Sequence, residues 1–143
     1  MIAKNEIFAT LLRENGCSLT KTRQRVFAAL DLDEPITMHE LVERCEDVDR
    51  ASVYRSVALF EEIGVVRRLY NGWKYKIELS DRFGLHHHHA TCSRCGNVIP
   101  LEEDTALESA LRRLAARHSF RVTGHEIELK GLCSDCAKKV TLA

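Results

Sequence analysis

Apolar residues in the first half of the chain recur at helical spacing. Ile7, Phe8, Leu11 and Leu12 share one face, and Gly16 follows as a stop, which predicts a helix over residues 4–15. A second helix begins near Thr20, with Val26, Phe27 and Leu30 on its apolar side. Thr37-Met38-His39-Glu40 spells a capping box, in which the threonine closes the helix start and the glutamate reaches back; Met38, Leu41, Val42 and Cys45 then mark one buried stripe. Asp49 is suited to cap a fourth helix, whose face is Val53, Val57 and Phe60 and whose end is Gly64.

The period then changes to two. Residues 65–70 and 73–79 are rich in β-formers and flank Asn71-Gly72, a strong hairpin signal because both positions of such a turn favour positive φ. Residues 81–85 form a short joint. Beyond it, residues 98–101 read as a strand, residues 105–118 as a helix with Leu107, Leu111, Leu114 and Ala115 on one face, and residues 120–132 as further strands through alternation at Ile127 and Leu129. The expected class is α+β. A winged helix-turn-helix domain occupies residues 1–80, a hinge residues 81–85, and a small α/β domain residues 86–143.

In a winged helix-turn-helix the later helix enters the major groove with its N-terminal residues on base edges. Here those are Arg50, Ser52, Tyr54 and Arg55. Tyr54 is placed to press on a thymine methyl, and Arg55 to reach guanine or phosphate. The competing reading docks this helix elsewhere, with Tyr54 as partial core. Lys21, Arg23 and Arg25 give the second helix a basic start, for which phosphate contact and plain solvation both stand.

Composition narrows the classes. A charged fraction of 29% beside 45% hydrophobic residues is that of a globular protein, and a formal net charge of zero argues against a tail-driven polyanion binder. No apolar run approaches the ~18–20 residues that cross a bilayer, and no secretory leader is visible, so a cytoplasmic location without a membrane partner is expected. In a reducing compartment the six cysteines read as ligands rather than disulfides. Cys17 and Cys45, which stand alone, read as small buried hydrophobes.

The chemistry concentrates in His86-His87-His88-His89-Ala90-Thr91-Cys92-Ser93-Arg94-Cys95-Gly96. Cys92 and Cys95, with the second Cys-x-x-Cys at Cys133 and Cys136, make a complete set of four thiolates for a closed, structural Zn²⁺. Redox-active dithiols are the lesser reading, since no thioredoxin-like βαβ context surrounds them. Along an extended backbone His86 and His88 point one way and His87 and His89 the other, so the run can serve two sites. Glu78, Glu102, Glu103, Glu108 and His125 are available to complete them. Glu108 also lies three residues after Thr105, where it could complete a capping box, and His39 and His118 read as a surface residue and a helix C-terminal residue.

Taken together, Ala51-Ser52-Val53-Tyr54-Arg55, the histidine run with Cys92-x-x-Cys95-Gly96, Arg117-His118 through His125, and Cys133-x-x-Cys136 resemble the ferric uptake regulator family of metal-dependent repressors. The resemblance implies a C-terminal dimerisation domain and a homodimer on palindromic double-stranded operators. It further implies a metal that sets the angle between domains. It assigns Cys92, Cys95, Cys133 and Cys136 to structural zinc, Glu78, His87 and His89 to the sensory site, and His86, His88, Glu108 and His125 to an additional site. Pro35 and Pro100 stand where many members place ligands, with Glu102 or Glu103 as a replacement for the second; Ser18 stands where some use a minor-groove lysine, with Lys21 as substitute.

A carboxylate at Glu78 favours Fe²⁺ or Mn²⁺ as corepressor, whereas the histidine content favours Zn²⁺ and a zinc-uptake regulator. Neither an enzyme nor a small-molecule substrate is expected. A zinc hydrolase lacks a His-Glu-x-x-His or comparable motif, and a metal-storage or chaperone module would bind no specific DNA.

Overall fold

The computed structural model describes residues 3–31 and 33–141. Its backbone separates into two compact units, Met1–Leu85 and His86–Ala143. In the first, α1 (Lys4–Glu14), α2 (Lys21–Leu30), α3 (Met38–Arg44) and α4 (Arg50–Glu62) precede a hairpin of β1 (Val66–Asn71) and β2 (Lys74–Leu79). The starts of three helices are chemically defined. Thr20 Oγ1 accepts from the Arg23 N–H, Asp49 accepts from the Ser52 N–H, and Thr37 with Glu40 forms the complete reciprocal box.

The apolar faces of these helices meet in one core. Phe8 stacks on Phe27 with ring centroids 4.1 Å apart and meets Phe60 edge-on at 5.2 Å. Cys45 is completely buried, and burial pushes its thiol up, as suits a small hydrophobe; Cys17 is half-buried against the same core. Ile36 joins the sheet through an antiparallel bridge, its N–H on the Ile77 carbonyl at 2.9 Å and the return bond at 2.7 Å. Pro35, just before it, is buried.

The turn of the hairpin closes one residue later than expected, which shifts the strand register by two. Asn71 pairs with Lys74, so the two-residue turn is Gly72-Trp73 and Asn71 belongs to the strand. Gly72 has φ +64°, while Asn71 and Trp73 have no positive φ. Positive φ at the first central position alone is the pattern of a type II′ turn, where glycine carries no Cβ penalty. After β2, Asp81–Phe83 makes one 3-10 turn, and Phe83 is buried with its ring 5.2 Å from Phe27. The start of the expected joint is thus fixed to the first core.

In the second unit, β3 (His88–Cys92), β4 (Val98–Leu101) and β5 (Glu128–Gly131) form a sheet of order β4-β3-β5, with β3 antiparallel to β4 and parallel to β5. Pro100 is tolerated because β4 is an edge. α5 (Thr105–Arg117) is capped by Asp104, whose side chain accepts from the Leu107 N–H, so Thr105 is not the cap and Glu108 is released from a capping role. Residues 120–127 are irregular instead of stranded, and an unexpected α6 (Ser134–Thr141) follows Cys133.

Burial is unequal between the units. The apolar core cluster lies wholly between Phe8 and Phe83, whereas in the second unit, among the described residues, the buried apolar side chains are Cys92 and Cys136. Leu107, Leu114, Phe120, Val122 and Leu129 are exposed. No helix among the described residues is long and apolar enough to cross a membrane.

Candidate metal centres and nucleic-acid interface

α4 buries Val53, Ser56, Val57 and Phe60, and its other side carries the polar groups singled out by sequence. Asp49 Oδ2 accepts from the Ser52 N–H at 2.9 Å, and Ser52 Oγ donates to Asp49 Oδ1 at 2.6 Å. These two hydrogen bonds hold the Asp49 carboxyl below its ordinary range. Arg55 donates to Ser52 Oγ at 2.9 Å. The Arg50 guanidinium lies 5.4 Å from the centre of the Tyr54 ring, and Tyr54 is exposed rather than part of the core. The result is a cationic and aromatic face at the start of α4. On α2, Arg23 donates to the Ser18 carbonyl at 2.6 Å and Arg25 pairs with Asp47 at 2.9 Å, both at the surface; Lys21 is exposed.

The cysteines converge from both ends of the second unit. Cys92 closes β3 beside Gly131 of β5, and a tight turn with Gly96 at φ +76° brings Cys95 back towards it. Cys133 precedes α6 and Cys136 lies in its first turn. All four sulfurs lie within 4.8 Å of one another, with Cys95 Sγ and Cys133 Sγ at 3.8 Å, and none is in a disulfide. A tetrahedral Zn²⁺ with bonds of about 2.3 Å separates its sulfurs by roughly 3.8 Å, so the arrangement fits that ion.

The electrostatics of the cluster suit a cation. The backbone N–H groups of Cys95, Cys133 and Arg94 lower the Cys92 thiol to about 6, so a thiolate is ready at neutral pH. Cys136 is pushed up to about 12, first by hydrogen bonding to the Cys133 sulfur and then by burial. A second and third thiolate in so small a volume need a dication to offset their repulsion.

The histidine run divides as alternation requires. His86 and His88 meet Glu108 of α5 and His125 of the irregular segment. His88 Nε2 lies 2.8 Å from Glu108 Oε1, His125 Nε2 3.0 Å from Glu108 Oε2, His86 Nε2 3.5 Å from Glu108 Oε1, and the His86 and His125 Nε2 atoms 3.2 Å apart. For bonds of about 2.0–2.1 Å, tetrahedral ligand atoms stand roughly 3.3–3.4 Å apart, so these four fit one small cation. His88 and Glu108 are 3% and 6% exposed. Hydrogen bonding from His88, then from His125, holds the Glu108 carboxyl below its usual range against the opposing effect of burial.

His87 and His89 turn together on the other side, with ring centroids 4.7 Å apart and planes at 67°. In the first unit, Glu78 of β2 faces Arg67 of β1, Oε1 to Nε 2.7 Å. Glu102 is exposed between β4 and α5 and belongs to neither the cysteine nor the Glu108 cluster; Glu103 is likewise exposed. His39 is a surface residue beside Glu43, and His118 caps the end of α5.

Sequence reasoning missed Arg67 and Asp81, whose guanidinium and carboxylate meet at 3.1 Å. The signal was the hairpin register. A turn at Asn71-Gly72 sets Val65 opposite Glu78, whereas the turn at Gly72-Trp73 sets Arg67 there.

A sequence profile described as the Ferric uptake regulator family matches residues 14–130. The chain is similar to the ferric uptake regulation protein of Campylobacter upsaliensis, 34% identical over 142 residues that span 94% of this chain and 89% of that protein. It is also 32% identical to the Escherichia coli K12 protein of the same description, over 88% of each chain. The crystal structure of the Vibrio cholerae ferric uptake regulator superposes with a TM-score of 0.71 at 30% identity, covering 87% of this chain and 98% of that one.

Proposed function

The chain belongs to the ferric uptake regulator family and is a metal-responsive, DNA-binding regulator of transcription rather than an enzyme, and on that premise we propose that it represses metal-uptake or homeostasis genes with Fe²⁺ or Mn²⁺ as corepressor. Structural Zn²⁺ is held by Cys92, Cys95, Cys133 and Cys136. The regulatory metal is held by Glu78, His87 and His89, and a further cation by His86, His88, Glu108 and His125. Glu78 carries the choice of metal: a carboxylate is a hard donor that suits Fe²⁺ and Mn²⁺ better than a thiolate would. The relatives' shared description as regulators of ferric uptake agrees with that chemistry.

The partner DNA is read by Arg50, Ser52, Tyr54 and Arg55 at the start of α4, with Lys21 on phosphate. The protein acts as a homodimer, and the reason is thermodynamic. A unit that leaves Phe120 69% exposed, with Leu107, Leu114, Val122 and Leu129 also exposed, gains by burying that surface against a second copy.

A zinc-responsive regulator is the second reading, favoured by the three imidazole nitrogens around Glu108. One titration separates the two. Operator affinity is measured with protein that carries zinc at the cysteines alone, on adding Fe²⁺, Mn²⁺ or Zn²⁺. Tightening with Fe²⁺ or Mn²⁺ supports the first reading and tightening with Zn²⁺ only the second. No change with any of the three overturns the regulatory metal.

A further inference from the structure

Glu78 is not a bare carboxylate. Its strand partner Arg67 places Nε 2.7 Å from Oε1, and the same guanidinium reaches Asp81, Nη2 to Oδ1 3.1 Å and Nη1 to Oδ2 3.4 Å. The Arg67 side chain is 15% exposed and that of Glu78 10%. A guanidinium cannot give up its proton at any working pH, so this is a fixed positive charge. Its fork is divided between two carboxylates, which leaves the group with a formal charge of −1.

We propose that Arg67 is a resident counter-cation of Glu78, against which the regulatory metal must compete, and that Arg67 and Asp81 together set the metal concentration at which the protein responds. The inference rests on the assignment of Glu78 to that metal. A carboxylate beside an arginine loses one to three powers of ten in its affinity for a proton, because the positive charge already stabilises the anion. A dication carries twice the proton's charge and is repelled by the same guanidinium, so its penalty has the same sign. Asp81 works in the opposite sense, since it shares the guanidinium and adds negative charge close to Glu78. Arg67 is therefore a positioning and tuning residue that has no need to touch the metal.

The alternative role for such a pair is orientation, in which Arg67 holds Glu78 in the rotamer that binds; loss of an orienting partner weakens a metal site about 10–100-fold. The two roles predict opposite signs for one substitution. Mn²⁺ binding to the full chain, zinc-loaded at the cysteines, is followed through the electron spin resonance signal of the free ion, and the component lost in Glu78→Gln is taken as the Glu78-dependent site. Arg67→Gln tightens that component about tenfold or more, Arg67→Lys leaves it within about threefold because the charge stays, and Asp81→Asn weakens it several-fold. The melting temperature and circular dichroism of the metal-free variants check folding.

An Arg67→Gln protein that binds Mn²⁺ more weakly, or unchanged, overturns the proposal while Glu78 remains a ligand. Should Arg67→Gln fail to fold, Arg67→Met and Asp81→Asn decide, and an Asp81→Asn protein with unchanged or tighter binding overturns the proposal as well. If Glu78→Gln itself leaves every Mn²⁺ component in place, the assignment of Glu78 fails, and the inference falls with it by a result that points to the assignment.

Discussion

Arg55 shows what a single residue contributes through its neighbours. Its guanidinium rests on Ser52 Oγ, and Ser52 in turn is fixed by Asp49, so the side chain leaves the start of α4 in a defined direction. A base-reading arginine is worth about 1–3 kcal/mol of discrimination, whereas a phosphate-binding one acts on all sequences alike. Arg55→Ala is expected to weaken operator binding at least about tenfold and binding to random duplex much less. Gel-shift titrations on both DNAs across a salt series check this, and equal losses would assign Arg55 to the backbone. At the cysteines, Cys95→Ser is expected to remove one zinc equivalent per chain, measured by chelator release, because a closed site of four thiolates has no spare ligand.

At the level of elements, helix starts are the best-determined features, because each depends on residues only three apart. Thr37→Ala removes the acceptor of the Glu40 N–H and is expected to cost about 1 kcal/mol in denaturant unfolding of the first unit. Glu40 supplies the pH dependence. The Thr37 N–H, followed by the Thr37 hydroxyl, lowers its carboxyl below the ordinary range despite some opposing burial. Its folded pKa lies below its unfolded one, so its contribution is complete above the ordinary carboxylate range and fades as pH falls through the lowered folded value. The difference in melting temperature between wild type and Glu40→Gln is therefore expected at neutral pH and should close in acid. The hairpin was less legible. Asn71-Gly72 and Gly72-Trp73 both supply a glycine at the turn, and because the two registers differ by two residues and leave the same side chains on each face, hydrophobic alternation does not choose between them.

For the whole molecule, the uneven burial predicts that metal and self-association hold the second unit together. Stripping zinc with a strong chelator is expected to unfold residues 86–143 while the first unit keeps its cooperative transition, since the core from Phe8 to Phe83 needs no ligand. Hydrogen exchange resolved along the chain checks which unit loses protection. Phe120→Glu or Leu114→Glu on the exposed apolar surface is expected to yield monomers by sedimentation at micromolar concentration and, with them, weaker operator binding.

Sequence alone determined whatever depends on local spacing: the caps at Thr37 and Asp49, the helical stripes, the two Cys-x-x-Cys pairs, and the split of the histidine run into two pairs by alternation along an extended backbone. Its motifs also carried the family. Tertiary structure decided what depends on contacts between distant segments. Glu108 is a cluster member rather than a cap residue because Asp104 takes the cap and β3 presents His88 to α5. Glu102, equally acidic and close by in sequence, stays in solvent. Arg67 meets Glu78 only because the turn closes one residue later than the dipeptide signal suggests. The physical reason is the same each time: periodicity fixes which side of an element a residue occupies, and only packing fixes what stands opposite.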